Sequence, residues 1–188
     1  VSGTVTQATL RIYTQSTSTI GYDVRQVADN TWGEFTLNGG NAPALGATLN
    51  SSGAITANNF VDVDVTGYVT GNGLVSFGLS TAETSLIQVS SREGSNPPEL
   101  VVAYDGSGGP TPTPTNTAVP PTPTTPPPTP TAGPGGSTFT FNSSDDAIVL
   151  GNRPTSNYGT ASILGTDDSP DILSLLKFNV AGLDGTVV

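Results

Sequence analysis

The 188-residue chain contains no cysteine, no histidine and no methionine. Without cysteine there can be no disulfides and no thiolate metal sites. Without histidine the commonest general base is missing, and most nucleophilic triads go with it. Positive charge is scarce too: 5 Lys and Arg face 15 Asp and Glu, a formal net charge of −10. Nucleic-acid binding needs a basic footprint, so nucleic acid is excluded as a partner, and an acidic surface repels anionic lipid. No run approaches the ~18 apolar residues of a membrane helix, so no membrane insertion is expected. P-loop, nucleophile-elbow and zinc motifs are absent. Glu34, Glu83, Glu93 and Glu99 supply carboxylates, but a glycosidase needs two of them across a cleft, and their spacing singles out no pair. The chain reads as non-enzymatic. Because position 1 is valine, it also reads as a processed product or a fragment of something longer.

Proline, by contrast, is concentrated in one block. Eleven of the 16 prolines lie between Pro110 and Pro134, within the Pro/Thr/Gly-rich residues 106–136. Proline fixes φ and removes an amide donor, so this run is closed to helix and to central strand. An extended polyproline II-like linker is expected, with a reach of about 95 Å at ~3.1 Å per residue. Thr113, Thr115, Thr122 and Thr124 within it are candidates for O-glycosylation, as on mucin-like stalks.

On both sides of the linker, apolar residues alternate with polar ones. Strands are expected at Val5–Tyr13, Ile20–Val27, Phe60–Val65, Leu74–Leu79, Leu86–Ser90 and Glu99–Tyr104 before it. After it they are expected at Ser137–Asn142, Ala147–Leu150, Ala161–Leu164 and Ile172–Val180. Clusters of Gly, Asn and Ser separate them, and the one plausible helix is a single turn near Val65–Val69. The fold class is therefore all-β, an antiparallel β-sandwich or jelly roll. Three segments follow: residues 1–105, the linker 106–136, and residues 137–188. The last, about 50 residues without disulfides, is too small to seal a core alone.

The two ends overlap. Leu183-Asp184-Gly185-Thr186-Val187-Val188 and Val1-Ser2-Gly3-Thr4-Val5-Thr6 align as x-x-Gly-Thr-Val-x. Placing residues 137–188 ahead of residues 4–105 yields one domain of about 150 residues, the commonest size. In that order the chain resembles the DNRLRE-type β-sandwich family, often called polysaccharide-binding modules. The resemblance rests on Asp145-Asp146-Ala147, Asn157-Tyr158-Gly159 and Leu175-Leu176-Lys177-Phe178 in the last segment. In the first it rests on Ala8 to Tyr13, Thr31-Trp32-Gly33-Glu34, Asn41-Ala42-Pro43, Val63 to Thr66, Phe77-Gly78-Leu79, Ser91-Arg92-Glu93 and Pro98-Glu99-Leu100. It implies that residues 1–105 are the last two thirds of such a domain and residues 137–188 the first third. That third would complete the same copy or a neighbouring one.

Candidate sites are few. Asp145, Asp146 and Asp168, with Asp167 and Asp171 near by, are oxygen donors of the kind Ca²⁺ prefers, although aspartate is also an ordinary turn residue. No other cofactor is expected. Trp32, the single tryptophan, can either stack on a sugar ring or pack in the core. Asn50 and Asn142 head N-glycosylation sequons. Arg11, Arg92-Glu93 and Lys177 are expected in charge pairs, since burying one charge requires a partner.

The leading functional expectation is a structural repeat of an extracellular filament or long cell-surface protein. It would be a tandem array, or would join copies of itself head to tail by β-strand complementation. The alternative is a carbohydrate-binding module of a secreted enzyme or adhesin, with polysaccharide as partner. A permuted, solitary domain closed within one chain is the third reading.

Overall fold

The computed structural model describes residues 4–105, 136–169 and 171–183. Among these there is no helix. The strands are β1 (Thr4–Thr14), β2 (Asp23–Val27), β3 (Thr48–Ser51), β4 (Asn59–Asp64), β5 (Gly73–Ser80), β6 (Ile87–Ser90), β7 (Glu99–Asp105), β8 (Ser137–Leu150), β9 (Ile163–Asp168) and β10 (Asp171–Val180). All pairings are antiparallel. A closed, barrel-like circuit runs β10–β8–β7–β1–β6–β9 and back to β10. From β10 the sheet also extends through β5 and β2 to the edge strand β3, while β4 pairs with β1. The expected all-β, sandwich-like class is the one observed.

Three local readings change. The sequence suggests two short strands at 137–150, because Asn142 to Asp146 is a polar run. The structure has one 14-residue strand that passes from one layer to the other. Its first part pairs with β7, from Tyr104↔Ser137 to Glu99↔Asn142. Its second part pairs with β10, from Phe178↔Ser143 to Ile172↔Leu150, with an irregularity between Lys177 and Phe178. The polar run is the crossing point. At Val65–Val69 there is a hydrogen-bonded turn in place of a helix, with the Tyr68 and Val69 N–H groups donating to the Val65 carbonyl at 3.0 and 3.4 Å. Finally, Thr48–Ser51 is a strand that polar composition conceals: an exposed edge needs no apolar face.

The main core lies between the layers. Leu10 and Ile12 of β1, Phe77 and Leu79 of β5, Leu100 and Val102 of β7, and Leu176 and Phe178 of β10 are all fully buried in it. Phe77 and Phe178 meet edge to face with ring centroids 5.9 Å apart. On the opposite face of β10, Leu175 joins Ala147 and Val149 of β8 in a second cluster with Val27, Trp32 and Leu37. The connection 28–47 between β2 and β3 lies over this face and supplies Trp32, Leu37 and Leu45. A Cβ at Gly78 would overlap the end of the Leu45 side chain, so the glycine gives Leu45 room to pack directly on β5.

Strands β8 and β10 thus sit between β7 and β5 of the same chain. Tyr104 and Ser137 are register partners, so the ends of the long connection are neighbours about 5 Å apart. A two-residue turn would span that gap. Tethering over some 30 residues holds the two pieces at an effective concentration of order mM, which favours closure within one chain over exchange between copies in dilute solution.

A chain cut after Asp105 loses β8, β9 and β10 and leaves Phe77, Leu79 and Leu100 facing water. It should show no sigmoidal thermal transition by circular dichroism. A sharp transition near that of the full chain would contradict the shared core.

Candidate functional site

The connection 28–47 carries most of the chemistry, and buried polar contacts hold it in place. At its centre is the turn Gly33–Leu37, closed by Thr36 and Leu37 N–H groups donating to the Gly33 carbonyl at 3.0 Å each. Glu34 points inward from this turn and is 2% exposed. Its carboxylate sits in the fork of Arg92: Nε donates to Oε1 at 2.6 Å and Nη2 to Oε2 at 3.0 Å. Arg92 comes from the tight turn after β6, which also brings Glu93 to 2.9 Å from the guanidinium. Opposite them lies Asp146 of β8, 1% exposed. Its Oδ2 accepts from the Arg92 backbone N–H at 2.7 Å, and its own N–H donates to Glu34 Oε1 at 3.2 Å. The Glu34 N–H in turn donates to Asp145 Oδ1 at 3.4 Å.

A second ion pair lies alongside. Lys177 of β10 is buried, 3.2 Å from Asp145 Oδ2, and its ammonium donates to the Trp32 carbonyl at 2.6 Å. The same ammonium lies 4.7 Å from the centre of the Trp32 ring. The Trp32 Nε1–H donates to Ser76 Oγ at 3.2 Å. Trp32 is therefore 7% exposed, with one face under a cation and the rest in the second cluster. A ring so covered offers no platform to a sugar, and its role is packing.

The loop 151–162 between β8 and β9 clasps the turn from the other side. Asn157 Nδ2 donates to the carbonyls of Glu34 and Leu37, both at 2.7 Å. Gly159 packs on Glu34 so closely that any side chain there would strike its carbonyl. Further along, the Gly40 N–H donates to the Pro154 carbonyl at 2.7 Å. Glu34 and Glu93 emerge as part of this cluster only in three dimensions. Their signal in the sequence was the pair of tripeptides Trp32-Gly33-Glu34 and Ser91-Arg92-Glu93.

Asp145 and Asp146 lie together, whereas Asp168 does not join them. Asp168 pairs with Asp171 at the β9–β10 hairpin, while Asp145 pairs with Lys177, six residues further along β10 or about 20 Å away. One ion cannot bridge that distance, so the three do not form a single Ca²⁺ site. Among the described residues, the carboxylates that come within 4.8 Å of one another are Glu34, Glu93 and Asp146. Arg92 already lies among them, so a cation could be held there only by displacing the guanidinium. Asn50 is exposed on the edge strand β3 and Asn142 on β8, both accessible positions. Thr113, Thr115, Thr122 and Thr124 lie outside the described residues.

Electrostatics follow from burial. Desolvation pushes the Asp146 carboxyl up to about 7; the Arg92 N–H opposes this, and Glu93 and Glu34 reinforce it. The Arg92 guanidinium is held charged, its pKa raised mainly by the hydrogen bonds to Glu34. Hydrogen bonds from Thr31 and Thr66 hold the exposed Asp29 and Asp64 below the usual aspartate value. The arrangement at Glu34 does not suit acid–base catalysis: both of its oxygens are engaged by Arg92, whose guanidinium also pairs with Glu93 at the solvent-facing side of the cluster.

Residues 1–104 match the model of carbohydrate-binding module family 96, more than half of the chain, and the chain belongs to that family. No curated protein and no solved structure matched it. Among the described residues, no helix is long and apolar enough to cross a membrane.

Two predictions come from the cluster. The folded state holds the Asp146 proton more tightly than the unfolded chain, where an aspartate titrates near 3.8. Its stabilising contribution is therefore complete below about pH 4 and is lost as pH rises through about 7. Asp29 and Asp64 act in the opposite sense and only in acid, outside this window. The melting temperature should fall between pH 5 and pH 8, and Asp146→Asn should flatten that slope; an unchanged slope would refute the assignment. Removing the partner of the buried Glu34 should be costly: Arg92→Met should destabilise by about 3 kcal/mol in urea titration. The Arg92→Met/Glu34→Gln pair should recover part of that loss, as coupled residues do.

Proposed function

We propose that this chain is a non-catalytic carbohydrate-binding module that works outside the cell, attaching a secreted enzyme, adhesin or cell-surface protein to polysaccharide. The observation that carries the reading is the family match over residues 1–104. The clamped carboxylates support a binding role over a hydrolytic one.

In this reading residues 137–183 are the first third of the same module, in permuted order. The support is topological: β8 and β10 fill the positions between β7 and β5 that the first 105 residues leave empty. Assembly into head-to-tail filaments has no contact among the described residues in its favour, since β8 and β10 find their partners within one chain. The family match favours the binding module.

The test is affinity electrophoresis of the full chain in gels containing xylan, mannan, β-1,3-glucan or pectin, together with pull-down on cellulose and chitin. At least one polysaccharide should retain the chain, and none should release reducing ends on incubation with it. No retention by any of them would overturn the proposal.

A further inference from the structure

The chain has one Trp, 5 Tyr and 6 Phe, all among the described residues, and nearly every ring has a neighbour. Tyr22, Phe77, Tyr104 and Phe178 are in the main core. Tyr68 packs edge-on against Phe77 and donates its O–H to the Val27 carbonyl at 2.9 Å. Phe60 lies under the Arg11 guanidinium at 4.6 Å and against Tyr13. Phe139 and Phe141 stack on one another, and Trp32 is covered by Lys177. The two left are Phe35 and Tyr158. Phe35 is 68% exposed, the highest value of any large hydrophobic side chain described. Tyr158 is partly exposed.

These two belong to the loops that grip one another. Phe35 follows Glu34 in the turn, and Tyr158 stands between Asn157 and Gly159, the residues that clasp Glu34. The basic residues lead to the same place by a separate route. Arg11 pairs with Asp62, Arg92 with Glu34 and Lys177 with Asp145, while Arg25 donates twice to the Gly46 carbonyl. Only the side chain of Arg153 has no partner among the described residues, and it too is in the 151–162 loop.

The turn that carries Phe35 is also rigid. Glu34 on one side is fixed through its N–H, its carbonyl and both carboxylate oxygens, and Leu37 on the other side is buried. A ring held in water on so constrained a turn loses little entropy when something stacks on it. The C–H face of a pyranose ring is an apolar surface that matches an aromatic face, and its hydroxyls accept from N–H and O–H donors.

We infer that the junction of the 28–47 and 151–162 loops is the polysaccharide contact of this chain: Phe35 is the stacking platform for a pyranose ring, with Tyr158 and Arg153 beside it as hydrogen-bonding groups. This rests on the carbohydrate-binding reading and gives it a location.

The test compares the full chain with Phe35→Ala, Phe35→Trp and Leu74→Ala, on whichever polysaccharide of the panel retains the wild type. Phe35→Ala should weaken retention about tenfold or more, as loss of a central anchor does. Phe35→Trp should bind at least as well as wild type, and Leu74→Ala, an exposed apolar residue at the start of β5, should leave binding unchanged. Phe35→Trp gives a second readout that does not depend on the alanine variant folding: the polysaccharide should shield the new tryptophan from acrylamide quenching. If the wild type is retained but Phe35→Ala binds within twofold of it, or the new tryptophan stays equally quenchable, the platform is elsewhere and the module reading stands. If no polysaccharide retains the wild type, both fall.

Discussion

From Ser174 to Phe178, strand β10 has no side that faces water, and the rest of the fold is arranged around that fact. Leu176, Phe178 and Val180 belong to the main core, while Leu175 and Lys177 face the other way. A strand buried on both faces needs neighbours along both edges and cover above and below. The edges are β5 and β8, one from before the long Pro/Thr run and one from after it. Part of the cover is a connection with little regular structure, residues 28–47. That cover turns Glu34 inward and leaves Phe35 facing outward.

The charges follow from the same burial. Closing the lid over Lys177 and against Asp146 places ionisable groups where water cannot reach, which is tolerable only when each meets an opposite charge or a hydrogen bond. A chain with 5 basic and 15 acidic residues therefore commits two of its cations, Arg92 and Lys177, to this seam. Such pairs add little net stability compared with apolar packing, but they penalise any misplaced lid heavily. Here they join β8 and β10 to the 28–47 connection and to the turn after β6. Among the described residues, the loop junction is where an exposed aromatic ring, Phe35, and a guanidinium without a partner, Arg153, occur on neighbouring loops.

Much of the fold could be read in advance. Period-two alternation located most of the strands, and the small size of the last segment, about 50 residues without disulfides, implied that it must share a core. The candidate site was legible only in pieces. Trp32-Gly33-Glu34, Ser91-Arg92-Glu93 and Asp145-Asp146 each stood out, but nothing in their spacing says that Glu34, Arg92 and Asp146 meet. Asp168 was grouped with Asp145 because the residue types matched, whereas the strand between them separates the two by most of its length. Phe35 gave no signal at all, since an exposed aromatic and a core aromatic look alike in a turn without periodicity.

Composition and alternation by themselves determined that this protein is all-β and that its chemistry excludes thiol and imidazole groups, and the size of the piece after the proline run pointed to a core shared with the piece before it. These properties follow from residue type and local backbone preference, which need no knowledge of distant neighbours. Only the tertiary structure decided which strand lies beside which, that a polar run in β8 is a crossing between layers, and which carboxylates share one arginine. Those outcomes depend on contacts between residues far apart in the chain, and a contact of that kind leaves no period in the sequence.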